Sequence, residues 1–599
     1  MVCSHKATFA ALFFFAGIAA LTNSPQVRAQ TAADYTLVEA STSPTGQVVS
    51  DPEAYGGSYV QQTSAWQPMI VSPVPASGDS WVIWARIKDV NVQLKAVAAD
   101  GTQNALNWEW AQPDDWTWVS LGRHTRAELG PKILLMRGPN AGQSPGLDAV
   151  LFANDDSFDP NVSVPQPNFN YPPVTVTIDW RKQIATATQL SYGLNAFGGF
   201  NPAITHDPAY EANMEKMDAG LLRLHNWGMM NDSATDPTGW IDLKNKCWDA
   251  DKIKKDLSGA YGYGPNLLIN IPAWPSWMDK NGMLDPTQED AFAGFCADLV
   301  RIVNVDLKLH VKYWEVTNER DGPYYGNFHN SDGTLKNPSI PDHVDDLATI
   351  YNKCAVAMKA VEPAIKVGGP AVARPDWSDF IARFTQQTAG NLDFFSFHAY
   401  GSGSKDDSDK FIFNRAAGFG DDVTQIKGIL TKVSPDRPIP VFLDEYNISW
   451  SWDVRDPRMT NLKGMIFDAI AITGAVENGA AATTAWNEKD GVYGKMDDSY
   501  NLRPGASLFE LLNKHMIGTV VSAVSSEPNS IAAYAVRRPN GDRALLLINR
   551  TKHDRTVDQT SSGAPLPVLS EFSDTSGMPE KGPSAGVTVP AESIVFLGR

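Results

Sequence analysis

Two stretches carry side chains whose type and position could do chemistry. In "VKYWEVTNERDG", residues 311–322, a run of apolar and β-branched residues ends abruptly in Asn318, Glu319, Arg320 and Asp321, and "IPVFLDEYNISW" places Glu445 at the end of a second such run. An acid at the mouth of a buried strand costs desolvation energy unless it is paired or used. Two facing carboxylates are the minimum equipment for breaking a glycosidic bond: one, protonated, hands its proton to the leaving oxygen while the other, ionised, attacks or stabilises the sugar. Like charges in a desolvated cleft push the two pKa values apart, which separates the roles. A lone Glu after a strand is as readily a structural ion-pair partner, so the reading rests on convergence. "TTAWNEKDG" offers a competing Asn487–Glu488 pair. It ends a strand adjacent to that of Glu445, so Glu488 would sit beside Glu445 rather than across a sugar from it, and reads as a loop acid or polar contact.

The elements that must position these acids follow a strand-then-helix rhythm beyond residue 185. Eight apolar stretches read as strands: "LSYGLNAF", "GLLRLHNW", "NLLINIPAW", "VKYWEVTN", "IKVGGPAV", "LDFFSFHAY", "VFLDEYNI" and "AAATTAWN". Between them, "QEDAFAGFCADLVRIVN", "VDDLATIYNKCAVAMKAVEP" and "NLKGMIFDAIAITGAVENG" space apolar residues as helices do. Eight such units predict a (β/α)8 barrel with chemistry at the strand ends. Glu319 closes the fourth strand and Glu445 the seventh, about 126 residues apart in sequence, so the two project into one cleft. His398 and Tyr400, two apart on the sixth strand, share a face.

Length and composition frame the rest. A chain of 599 residues exceeds one ordinary core. The fold expected is multidomain: a signal peptide at 1–29, a β-sandwich of jelly-roll type at 31–160, a Pro- and Asn-rich linker at 161–174, the barrel at 175–516 and a C-terminal β-sandwich at 517–599, to which "VTVTIDW" before the barrel can add a strand. Net charge is -18, which disfavours nucleic acid and anionic membranes as partners. The 18 Trp suit sugar rings, whose C–H faces stack on indoles, although aromatics also fill cores. "ATFAALFFFAGIAALT" followed by "SPQVRAQ" reads as a secretory signal cut before Gln30, too short for a membrane anchor, which predicts a secreted or periplasmic protein. Cys3 leaves with it; Cys247, Cys296 and Cys354 lack metal-ligand spacing and read as buried thiols, with at most one disulfide. Asn161, Asn231, Asn447 and Asn549 start N-x-S/T triplets, which matter only in a eukaryotic secretory host.

Strand ends in the order "WEVTNE", "DFFSFHAY", "FLDEYN" and "AWN" resemble clan A of the glycoside hydrolases, and "KVGGPA" before "DFFSFHAYG" most resembles family 39, the group of β-xylosidases, α-L-iduronidases and related enzymes. The resemblance, over roughly residues 175 to 599, implies a retaining double displacement with Glu319 as acid/base and Glu445 as nucleophile. It further implies that Asn318 binds the sugar 2-hydroxyl, that Arg223 holds Glu445 ionised, that His398 or Tyr400 contacts the nucleophile, and that Trp486 floors the sugar site. Trp227, Trp274, Trp277, Tyr324 and Trp450 are candidate cleft walls. The first sandwich is similar to carbohydrate-binding modules of families 6 and 35, which often hold a structural calcium; Glu39 and Asp148 occupy comparable places, but Ser41 stands where a second acid is usual. No other cofactor is implied. Trp66, Trp108, Trp110 and Trp116 are candidate platforms for a glycan. Two other readings stay open: a catalytically inactive carbohydrate-binding protein on a hydrolase barrel, and an endo-acting enzyme of another clan A family.

Overall fold

The computed structural model describes residues 35–598 except 43, 166–170, 199–200, 226, 232–238, 258–265, 562–567 and 573–585. The expected signal peptide and part of the expected linker lie outside the described residues. The chain forms two compact units, Met1–Asn170 and Tyr171–Arg599.

The second unit holds a closed barrel of eight parallel strands in chain order. They are β1 (Gly193–Asn195), β2 (Leu222–Leu224), β3 (Leu267–Ile271), β4 (Tyr313–Val316), β5 (Lys366–Val372), β6 (Phe395–Ser402), β7 (Val441–Ser449) and β8 (Ala482–Ala485). Each coincides with a stretch expected to form it, β6 and β7 running two residues and one residue past theirs. Strands covered on both faces read as continuous apolar runs, and β2, β3, β4, β7 and β8 are buried at every residue. The three expected helices form at Glu289–Val300, Val344–Val361 and Leu462–Glu477. Phe292, Phe295, Cys296 and Leu299 line the buried face of the first, and Leu347, Tyr351, Cys354 and Met358 that of the second, the spacing of an amphipathic helix. Cys296 and Cys354 are buried free thiols, whereas Cys247, also expected to be buried, is exposed.

Two departures from regular backbone shape the barrel's mouth. The pairing of β7 slips against both neighbours between Leu443 and Glu445 or Tyr446. The extra residue of such a bulge breaks the in–out alternation, so the consecutive Asp444 and Glu445 both reach the Arg223 guanidinium. After β4, Thr317 and Glu319 adopt left-handed φ values of 68° and 53°, which cost about 1–3 kcal/mol each and persist only where the surroundings fix them. Neighbouring strand ends do so: the backbone N–H groups of Thr317, Asn318 and Glu319 donate to the carbonyls of Ile271, Pro272 and Ala371.

The barrel begins later than the expected boundary at 175. Val174–Ala187 instead lies inside the eight-stranded C-terminal sheet, antiparallel to Gly518–Ser525 and parallel to Arg555–Ser561, so the added strand expected from "VTVTIDW" is present. Successive residues of this sheet face opposite sides. Leu546 and Ile548 join the barrel's core, while Leu545 and Leu547 pack with Val176, Ile178 and Val557.

The first unit is built on a separate eight-stranded sheet, dominated by the long antiparallel pair Ser80–Val97 and Lys132–Ala153. Ile83, Ala85, Ile87, Val92 and Leu94 supply its core. Described helices here are single turns, for example Arg126–Leu129.

Candidate active site

The C-terminal ends of the barrel strands surround a cleft of about 870 Å³, lined among others by Asn318, Glu319, Tyr400, Glu445, Trp450 and Trp486. One carboxylate oxygen of Glu319, one of Glu445 and a ring nitrogen of His398 all lie within 4.8 Å of one another. Strands β4, β6 and β7 thus bring the two sequence-predicted acids and the strand-six histidine to one point.

Glu445 is almost wholly buried, and its two oxygens are held from different strands. Arg223 Nη1 on β2 reaches Oε2 at 3.1 Å, and the Tyr400 hydroxyl on β6 donates to Oε1 at 2.6 Å. Burial alone would raise its pKa, but His398, Arg223, His225 and the Tyr400 hydroxyl outweigh that and hold it below the usual glutamate range. Glu319 is more open, with its side chain 38% exposed, and accepts from or donates to His398 Nδ1 at 2.7 Å. Burial lowers the basicity of His398, yet Glu445 and Glu319 more than compensate and raise its pKa. Asn318 Oδ1 accepts from Arg223 Nη2 at 2.6 Å. Asp321, the last polar residue of the opening stretch, is fully used in backbone support: it accepts from the N–H groups of Ala373 and Arg374 beyond β5, while burial raises its pKa to about 6.

The aromatic expectations divide. Trp486 lies on the cleft floor beside Phe197 and His225, and Trp450 stands 64% exposed at the rim. Trp274 is a correction: it is buried, donates to Asp279 at 3.0 Å and packs edge-on against Phe292 and Tyr324. Tyr324 is likewise internal, its hydroxyl accepting from the Leu284 N–H, and Trp277 packs on Phe295. The side chain of Trp227 lies outside the described residues. Glu488 makes the polar contacts that were one of its two expected roles. It is completely buried and clamps the segment after β1 by accepting from the N–H groups of Phe197 and Gly198 and from the Tyr210 hydroxyl, with burial raising its pKa to about 7.

In the first unit, one of the two residues expected near a calcium ion has another partner. Asp148 is buried against the Arg86 guanidinium and also accepts from the Tyr55 N–H, so a cation already occupies its carboxylate. Of the four candidate platforms, Trp116 is buried against Tyr59, whereas Trp66 and Trp110 are 49% and 62% exposed and flank the half-buried Trp108.

Arg223 was expected here, but its partners and several other site residues went unnoticed in the sequence. Arg223 bonds Glu315 through Nε and Nη2 at 3.0 and 2.9 Å, bonds Asn195 at 2.9 Å and lies 3.5 Å from Asp444. Asn270 donates to the same Glu315 oxygen and pairs with His225, whose pKa burial lowers to about 4. Glu315 stands four residues before Glu319 and His225 two after Arg223, so strand alternation carried a signal for both. Trp452 and Tyr493, edge to face at 4.8 Å, complete the rim.

A closed (β/α)8 barrel with two convergent carboxylates at its C-terminal mouth defines an O-glycoside hydrolase. Residues 310–496, which carry both acids, match the family described as "Glycosyl hydrolases family 39". Over that segment the chain resembles this family of glycoside hydrolases. Among solved structures, a GH51 arabinofuranosidase from Xanthomonas axonopodis pv. citri is 14% identical, covering 71% of this chain and 99% of its own, with a TM-score of 0.53. A glucosidase from Croceicoccus marinus is 16% identical over 72% of this chain and 99% of its own, with a TM-score of 0.52. A monomeric β-xylosidase from Caulobacter crescentus CB15 is 14% identical over 71% and 99%, with a TM-score of 0.50. These likenesses concern the fold. No curated protein matches the sequence.

Proposed function

We propose that the chain is a secreted, retaining glycosidase that acts on a poly- or oligosaccharide through a covalent glycosyl-enzyme intermediate. The observation that carries this reading is the approach of Glu319 and Glu445 to within 4.8 Å. Retaining enzymes hold their carboxyl groups about 5–5.5 Å apart, whereas inverting ones leave about 6.5–9.5 Å for a water. Glu445, kept ionised by its cationic and hydroxyl neighbours, attacks the anomeric carbon; Glu319, reachable from the cleft, gives its proton to the leaving oxygen and later takes one from water. Asn318 and Trp486 bind the sugar, with Asn318 fixed by Arg223.

Trp450 and Trp452 at the rim suit further sugar units of a chain. The N-terminal unit, in this reading, is a β-sandwich carbohydrate-binding module, supported by the exposed indoles of Trp66 and Trp110. The N-terminal sequence supports export, and among the described residues no helix is long and apolar enough to cross a membrane.

A panel of nitrophenyl glycosides and dyed glycans tests the proposal. Glu445→Gln should remove nearly all turnover while keeping ligand binding, and Glu319→Ala should be partly rescued by azide, giving a glycosyl azide of retained configuration. An azide product of inverted configuration would overturn the double displacement. Binding with no turnover on any substrate by the unmodified protein would favour an inactive binding protein.

A further inference from the structure

Beneath Glu445 lies a second acid pair that the displacement itself does not use. Glu315 on β4 and Asp444 on β7 are both completely buried. Arg223 bonds only one Glu315 oxygen, Oε2. Among the described residues Glu315 Oε1 and both carboxyl oxygens of Asp444 accept no hydrogen bond of ordinary geometry, although the Ser396 hydroxyl faces Glu315 and Arg223 Nε and His398 Nε2 stand 3.5 and 3.6 Å from Asp444. Two ionised carboxylates in that position would leave three buried anionic oxygens unsatisfied, each at a cost of about 1–3 kcal/mol or more. The charges around Asp444 argue the same way. It is faced by Glu315 from β4, Glu445 from its own strand, Arg223 from β2 at 3.5 Å and His398 from β6 at 3.6 Å. Arg223 is already committed to Glu315, Asn318, Asn195 and Glu445.

We propose that Asp444 carries a proton and donates it to Glu315, so that the buried pair bears a single negative charge and Arg223 remains free to orient Glu445. A carboxylic O–H neutralises one of the three orphan oxygens and gives a second its donor. The direction of both groups agrees: burial and the neighbouring Glu315 charge raise Asp444 well above the usual range, while Arg223 and the Asp444 hydrogen bond overcome burial and lower Glu315 to about 2. Asp444 is then a positioning residue, acting on the reaction through Arg223. Its charge state stands on geometry; its effect on turnover rests on the assignment of Glu445 as nucleophile.

The test uses the full-length chain with ¹³C-carboxyl-labelled aspartate and infrared difference spectroscopy between it and Asp444→Asn. The expected result is a protonated-carboxylic-acid carbonyl band, shifted by the label, that persists in the unmodified protein from pH 5 to 8 and vanishes in Asp444→Asn. Absence of that band, or its loss near the usual aspartate pKa, would overturn the proposal. If the asparagine variant does not fold, titration of the labelled unmodified protein alone decides the point. Kinetically, Asp444→Asn keeps a neutral donor toward Glu315. Its acid limb in the kcat/KM profile should stay unmoved, whereas Glu315→Gln, which removes the pair's remaining charge, should shift that limb and lose more than tenfold. A shifted limb in a folded Asp444→Asn would mean that Asp444 is ionised. An unmodified protein that cleaves no glycoside refutes the proposed function and leaves the infrared outcome intact.

Discussion

The hydroxyl of Tyr400 and the guanidinium of Arg223 divide the work of keeping Glu445 charged, one on each oxygen. A hydrogen bond to the ionised form favours that form, and bonds to charged groups contribute about 1.5–3 kcal/mol. Tyr400→Phe should therefore lower kcat/KM about tenfold or more. The nucleophile is active when ionised, so activity is present above the pKa of Glu445 and lost as pH falls through it. Removing the donor raises that pKa, and the acid limb of the kcat/KM profile should move to higher pH. A profile with an unmoved limb would show that the hydroxyl does not act on the nucleophile. Tyr400 and His398 were legible because a two-residue period puts both on one face. Asp444 was not: its inward reach depends on a bulge, and nothing in "VFLDEYNIS" announces where pairing slips. Trp274 misled for a related reason, since residues of a loop have no fixed face.

Ends of adjacent strands shape the rim, and a missing side chain on one makes room for a large one on the other. Trp450 follows β7 and its N–H donates to the Ser402 carbonyl at the end of β6. Its indole lies over Gly403, where an added Cβ would come within 2.5 Å of the ring, closer than real carbon contacts allow. Gly403→Ala should displace the indole without touching either acid. The expected outcome is a severalfold higher KM for an oligosaccharide, with kcat on a small nitrophenyl glycoside within about twofold of the unmodified protein. Equal losses on both substrates would place Trp450 against the reacting sugar instead. At this scale the eight barrel strands were readable because burial on both faces makes each an apolar run. The start of the barrel was not. Val174–Ala187 has its partners at Gly518–Ser525 and Arg555–Ser561, and local pattern carries no trace of pairing so remote in sequence.

That remote pairing has a consequence for the whole molecule. The C-terminal sheet gives one face to the barrel's core, through Val520, Tyr534, Leu546, Ile548 and Phe596. The Tyr192 hydroxyl, just before β1, joins it by bonding the Met516 carbonyl at 2.6 Å and Tyr534 at 2.9 Å. Fully burying an apolar side chain of this size stabilises by about 1.5–3 kcal/mol, and a domain is stable by only about 5–15 kcal/mol. Stripping these five from the barrel removes as much as the fold has to lose and opens its apolar surface to water. The segment Tyr171–Arg599 should consequently fold alone, unfold in one calorimetric transition and keep its turnover of small glycosides within about twofold. A fragment of residues 188–517, the barrel without its two-part sheet, should be insoluble or molten. The N-terminal unit, with its own core, should be dispensable for small substrates, and its removal should weaken retention on an insoluble glycan. A soluble, active 188–517 fragment would show that the barrel carries its stability alone and that the sheet, built from segments before and after the barrel, serves some other purpose.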